Sequence, residues 1–507
     1  MPLLTFPAAG DIWDLSVRDS RFPLKRGIMT KLRTIPALLS IALLGAMAGS
    51  CSDDLGPSPS GNARAAPDIE KQVIVSGIAS PWDIAFLPDG NMLFTERAGR
   101  IGIFFPDSGT HRTLLEPKTG FYYDRFQAGM MGIAVDPDFA ANRYIYTFMT
   151  STAVSPSNQA RRVDDVTFEK GNPIVTAKRG GFAKSDKGKL ARSPAGPAMA
   201  EGTNIARVID SSTIELRRLP LASASSTTLT IEPLDNRVVR WVVDEEYASL
   251  QRDADIVTGI PYGAHRYYGH NGGRIRFGPG GYLWIATGDG DFGHYAQNGK
   301  SLGGKILRVD RNGAPAPGNG APDGFDARIY SYGHRNPQGI AFQPKMARVY
   351  AIGHGPGTDD EVNLLVPGGN YGWVNGAKAM TDRKKFPAAK FPVWKSGNPT
   401  LAPSGASFIS NGAGTDWKGW NGALAVGMLK TQQLLVMHID AFGHVLETES
   451  ILANPNWRIR SVVQGPDGSL YLAVESPKRN SDDRSYYTNA MERRKKGEIW
   501  RISPKPN

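Results

Sequence analysis

The chain has 507 residues, 40% of them hydrophobic and 21% charged, which marks a globular rather than a disordered protein. A single cysteine excludes a disulfide framework, a cysteine-rich zinc site, an iron–sulfur cluster and a covalently attached c-type haem. The formal charge of +11 favours acidic partners without choosing among nucleic acid, anionic lipid and a polyanionic ligand.

The first fifty residues read as an address. Met29 opens a better-formed start than Met1, with Lys31 and Arg33 as a positive region ahead of the uncharged run Ile35 to Gly49. That run is too short to span a bilayer comfortably and ends in small residues, as an export signal does. Its end, Ala48-Gly49-Ser50-Cys51, resembles a bacterial lipobox, in which the cysteine is lipidated and becomes the new N-terminus. Residues 1–28 are then upstream sequence. The alternative is a plain signal peptide cut near Ala65-Ala66. Residues 51–70 form a Ser/Pro/Gly/Asp-rich tether, and no later segment is long and apolar enough to cross a membrane. The expectation is an exported protein, periplasmic or anchored to the outer membrane through Cys51, with no other membrane contact.

From residue 71 to 507 one pattern returns: an apolar pair, a turn with proline, then large apolar residues at alternate positions. It appears around Pro88, Pro137, Pro279, Pro344 and Pro466, at spacings of 49, 142, 65 and 122 residues. Proline presets each turn and glycine supplies positive φ, so each copy reads as a hairpin. The long 122 gap holds about two units, with Trp420 to Val426 as strand-like sequence inside it. The 142 gap holds one unit plus an insertion, placed at 155–234. Six repeats of this length predict an all-β fold, a six-bladed propeller of four-stranded antiparallel blades. Gly497 to Ile502 is a last strand suited to closing the ring against the N-terminal segment.

Within the insertion, the stretch from Lys170 to Arg192 carries seven basic residues and one acid, and reads as a solvated loop. Asn204–Asp210, Thr213–Arg217 and Thr227–Glu232 alternate like short strands of a small β subdomain.

The polar constellation lies where an all-β fold would need only plain turns. Arg458 and Arg460, two apart, share one face of a strand and repel unless something anionic lies between them. They read either as an exposed pair in salt or as a clamp for carboxylate or phosphate. His270 precedes one strand of a hairpin and Asp289 ends the other, so the two can meet across it. A carboxylate on imidazole fixes its tautomer, the requirement for a general base; the other reading is a structural histidine in a Gly-rich turn.

The ordered set of motifs resembles the soluble PQQ-dependent sugar dehydrogenases, glucose and aldose sugar dehydrogenases with the related sorbosone dehydrogenases. It runs from about Val73 to Ile502 apart from the insertion, through Pro81-Trp82, Gln127, Met131 to Phe139, and His270-Asn-Gly-Gly-Arg274. Gly333 to Gly339, His354 to Glu361, Gly368 to Trp373, Pro399-Thr400, Leu429-Lys430 and Arg458-Ile-Arg460 follow in order. The resemblance implies that His270 takes the proton from a sugar's C1 hydroxyl while Asp289 orients it. Arg335, at the reacting centre, would hold PQQ together with Asn336, Thr400, Lys430, Arg458 and Arg460, with Gln127 nearby. It implies a calcium ion on the carbonyls of Gly355 and Pro356, and a second, structural calcium around Asp360, Glu361 and Tyr371. It further implies an aldose substrate, a separate electron acceptor and no nucleic-acid partner. The basic excess then points inward, to a trianionic cofactor. Three departures bear on the substrate pocket: Gly269 precedes His270 where some members have an acid, Gly353 stands where many aldose-type members have Glu, and Lys395-Ser-Gly where the glucose enzyme has an aromatic and a cysteine pair. A metal-dependent lactonase-type propeller hydrolase and a non-catalytic carbohydrate-binding propeller are the rival readings.

Overall fold

A computed structural model describes residues 65–116, 128–151, 160–187, 189–194, 203–216, 220, 222–263, 269–374, 384–453, 457–476 and 497–506. Cys51, its leader, most of the tether and Gln127 lie outside the described residues. The recurrent proline turns close hairpins: Gly90 and Gly468 take φ of 88° and 77°, and Gly90 N–H donates to Leu87 O at 3.0 Å. Six such units form a six-bladed propeller. Its innermost strands are Pro81–Phe86, Met130–Val135, Gly272–Phe277, Pro337–Phe342, Pro403–Phe408 and Arg458–Gln464, of blades 1 to 6. Each packs against the next, and the last meets the first. Blade 3 gains a fifth strand, Gly369–Asn370, laid parallel to Ile329–Tyr332.

The ring is closed as expected. Gly497–Pro504 pairs with Leu470–Glu475 on one side and with the N-terminal strand Ile69–Ile78 on the other. The first and last described strands therefore share blade 6. Apolar side chains interleave between blades; Trp417, Trp420 and Trp500, all buried, belong to the cluster that joins blades 5 and 6.

Between the second and third strands of blade 2, Tyr144–Ser151 and Asp235–Val243, the chain leaves the propeller and forms a closed six-stranded barrel. Its strands are Arg161–Phe168, Ile174–Ala177, Leu190–Arg192, Thr203–Val208, Thr213–Leu216 and Ala224–Glu232. The expected loop between Lys170 and Arg192 is corrected here, because it supplies two of these strands. Val175, Ala177, Phe182 and Ala191 are buried in the barrel's own core, while Lys178, Lys184 and Lys187 stay outside. Alternation of apolar residues outweighed the charges around them.

The central channel is plugged partway along. Arg274, from the blade 3 inner strand, is fully buried and reaches Asp83 of blade 1, Gln338 O of blade 4, and Ser461 Oγ and Arg460 O of blade 6. Arg276 adds two bonds to Asp83 at 2.6 and 2.7 Å, and Ser461 Oγ donates to it at 2.8 Å. Burial opposes the Asp83 charge, but the two guanidiniums outweigh it and hold its pKa below the usual carboxylate value.

Candidate active site

The site forms where the inner strands of blades 3 to 6 begin. His270 immediately precedes the blade 3 inner strand, with φ of 53°. Its carbonyl lies so close to Gly288 that a Cβ there would meet it at 1.8 Å, so only glycine lets the two hairpin arms approach. Across that gap His270 Nδ1 lies 2.6 Å from Asp289 Oδ1. A carboxylate accepts, so Nδ1 carries the proton and Nε2 keeps its lone pair. No described group bonds Nε2.

Asp289 is buried and fully engaged. Its Oδ2 accepts Trp373 Nε1–H at 2.7 Å, and Oδ1 also accepts the Asp291 amide at 2.9 Å. A second carboxylate stands at the same imidazole: Asp291 Oδ1 is 3.2 Å from Nδ1, while its Oδ2 accepts Gly269 N–H at 2.8 Å. Behind Asp289, the buried ammonium of Lys305 donates to the carbonyls of Tyr295, Ala296 and Gly303 at 2.6 to 3.0 Å. Burial pulls Lys305 down to about 7, against the attraction of Asp289.

Blade 4 joins this corner to the next. Arg335 accepts Asp289 N–H on its carbonyl at 2.8 Å and sets its guanidinium 5.5 Å from the Trp373 ring. Desolvation lowers the Arg335 pKa, opposed by Asp289, Asp291 and Asp360. Beside it, Asn336 Oδ1 accepts Gly272 N–H and Gln338 Nε2–H, and its Nδ2 faces His354 Nδ1 at 3.4 Å. His354 Nε2 donates to Pro403 O at 2.6 Å, and desolvation keeps this imidazole neutral by lowering its pKa to about 3.

The loop after His354 is fixed by Asp360, whose carboxylate accepts three backbone N–H groups: Gly355 at 2.8 Å, Leu401 at 2.6 Å and Ala402 at 2.8 Å. This binds the Gly355–Pro356 turn to the loop bearing Thr400, which in turn accepts Lys430 Nζ at 3.0 Å. Of the neighbouring side chains, Glu361 Oε2 accepts Asn363 Nδ2–H at 3.1 Å, and Tyr371 donates to Leu364 O at 2.6 Å.

Blade 6 completes the arc. Arg458 and Arg460 share Glu475 Oε1 at 3.6 and 3.3 Å, and Arg460 Nη1 donates to Gln338 Oε1 at 3.3 Å. The anion between the two arginines is thus a residue of the chain itself. Sequence reasoning missed Glu475, Asp291 and Trp373. Glu475 was findable, since the turn at Pro466-Asp467 lies midway between it and Arg458 and the two are paired in register.

Two observations test the fit of an anionic cofactor and a hard cation. The buried Nε atoms of Arg335 and Arg458 have no partner among the described residues, an unsatisfied donor on each of two guanidiniums. Likewise no described donor reaches the carbonyl oxygens of Gly355 or Pro356, the oxygen type that calcium prefers. Both groups fit.

A family described as glucose/sorbosone dehydrogenase matches residues 78–191 and 224–481, with the break inside the barrel. An aldose sugar dehydrogenase of Escherichia coli is 27% identical over 80% of this chain and 90% of its own length. Quinoprotein glucose dehydrogenase B of Acinetobacter calcoaceticus is 23% identical, over 90% of this chain and 95% of its own. The fold is also that of the PQQ-bound aldose sugar dehydrogenase of Streptomyces coelicolor, with a TM-score of 0.56 at 24% identity, covering 87% of this chain and all of that one.

Proposed function

Since the chain belongs to the glucose/sorbosone dehydrogenase family, we propose that it is a quinoprotein that oxidises the C1 hydroxyl of an aldose to the lactone. The observation that carries this reading is the pairing of an oriented His270, with Nε2 open, and two buried guanidinium nitrogens that have no partner among the described residues. Arg335, Arg458, Arg460, Lys430 and Thr400 would hold PQQ, and the Gly355 and Pro356 carbonyls its calcium. When bound, PQQ with its calcium supplies a two-electron acceptor for the hydride of C1.

The chain's own part is proton chemistry and positioning. His270 Nε2 takes the hydroxyl proton, and the resulting imidazolium is held at Nδ1 by Asp289 and Asp291. Trp373 and the Asp291 amide keep Asp289 turned toward the ring. Arg335 and Lys430 place positive charge where negative charge develops. With one cysteine and no haem-attachment motif, the electrons leave to a separate acceptor. Export and anchoring through Cys51 complete the proposal; metabolic labelling with palmitate checks the anchor, and a Cys51→Ser protein that still carries label contradicts it.

The lactonase reading draws on one feature: ligand atoms of His270, Asp289 and Asp291 all lie within 4.8 Å of one another. Those oxygens are already knit to Nδ1, to the Trp373 indole and to backbone N–H groups, which favours an oriented base over a cation cage. Adding PQQ and calcium to the purified protein and following dye reduction with aldoses separates the readings. Dye reduction supports the dehydrogenase; lactone hydrolysis without PQQ would establish the hydrolase; sugar binding with neither activity would leave a lectin-like propeller.

A further inference from the structure

Glu475 stands inside the proposed clamp. It ends the second strand of blade 6, paired with Arg458 across the hairpin, and only its Oε1 serves both guanidiniums. Contacts of 3.6 and 3.3 Å to one oxygen fall short of the two parallel bonds near about 2.8 Å that a guanidinium–carboxylate pair prefers. Arg458 Nε stays buried without a partner among the described residues. The cation of Arg97 also acts on this carboxylate, so three positive groups face one negative group. Burial opposes the Glu475 charge, but Arg458, Arg460 and Arg97 outweigh it and draw its pKa down to about 2, so it is ionised at any working pH.

A single carboxylate shared between two arginines relieves their repulsion, yet it leaves Arg458 Nε without a partner among the described residues. We propose that Glu475 is an affinity-setting counter-ion: it compensates Arg458 and Arg460 while the clamp is empty and competes with an incoming polycarboxylate for the same guanidiniums. This rests on the reading of the pair as a cofactor clamp. It makes Glu475 a brake on cofactor affinity and a support for the cofactor-free fold. A purely architectural role predicts the opposite, since loosened arginines would bind the cofactor less well.

Glu475→Gln separates the two, because it keeps the shape and an acceptor oxygen while removing the charge. PQQ affinity, read by fluorescence quenching in the presence of calcium, should tighten about tenfold. Without ligand the variant should melt lower than wild type at low ionic strength and recover as salt is added. Glu475→Asp, which keeps the charge but withdraws it by one methylene, should fall between the two proteins in affinity. Weaker or unchanged PQQ binding in Glu475→Gln, or in Glu475→Asp where the first variant does not fold, overturns the proposal. If wild type binds no PQQ, the cofactor reading itself fails, and citrate, a plain tricarboxylate, becomes the probe. Tighter citrate binding to the variant then still supports the counter-ion role, and equal or weaker binding overturns it.

Discussion

The blade 3 inner strand meets two ionic clusters a few residues apart, and they are built to opposite ends. Lower in the channel, Asp83, Arg274, Arg276 and Ser461 tie together blades 1, 3 and 6, and the Asp83 carboxylate is saturated by its neighbours. Ahead of the same strand, His270 keeps Nε2 open, and the arc beyond it leaves nitrogens of Arg335 and Arg458 without partners among the described residues. Buried charge of the first kind holds a fold together; buried donors of the second kind are those that the proposed cofactor would satisfy. The difference lies in satisfaction, since both clusters are rich in arginine and carboxylate.

Substitutions on each side should break that contrast in different observables. His270→Ala should lose at least about 100-fold in turnover while PQQ affinity and melting temperature stay near wild type, measured by dye reduction and thermal unfolding. Asp83→Ala should do the reverse, removing about 3–5 kcal/mol of stability by stranding two arginines in the channel, read by denaturant unfolding. Asp291→Asn preserves a side chain suited to its φ of 65° and an acceptor for Gly269 N–H, yet removes the second carboxylate at the imidazole. Its kcat should fall about tenfold with KM for the sugar unchanged, and a fall confined to KM would remove it from the base.

The last expected effect is on acid stability. His334 is buried beneath the site, with Nε2 2.8 Å from Ser331 Oγ and its ring stacked on Tyr371. Burial, helped by the Lys305 ammonium, lowers its pKa from 6.5 to about 3. Between those values the unfolded chain binds the proton and the folded chain does not, so stability falls as pH drops from 6.5 toward about 3. His334→Gln should flatten this part of the profile of unfolding free energy against pH, read by denaturant unfolding, by up to about 1.4 kcal/mol per pH unit; an unchanged slope would place the proton elsewhere.

Much of this was legible because hairpins obey simple arithmetic. The proline turns marked the blades, the last strand marked the closure, and the turn at Pro279-Gly280 placed His270 opposite Asp289. The same count at Pro466-Asp467 leads from Arg458 to Glu475, which makes the resident counter-ion a missed reading rather than a hidden one. Trp373 comes from a distant loop and Asp291 from a left-handed residue just past a strand end, so no local period announces either. The backbone amides that Asn336 and Asp360 hold belong to other hairpins and loops, which only three-dimensional pairing reveals. Charge misled the reading at Lys170–Arg192, where alternate apolar residues closed a barrel.

If the arginines without partners mark a cofactor site, PQQ binding must depend on them. The decisive experiment is an equilibrium titration of the purified protein with PQQ in calcium, repeated on Arg458→Ala with Arg460→Ala. Saturable binding of one PQQ per chain is expected, weakened at least about 100-fold in the double variant while its fold is retained. Equal affinity in both proteins would contradict it.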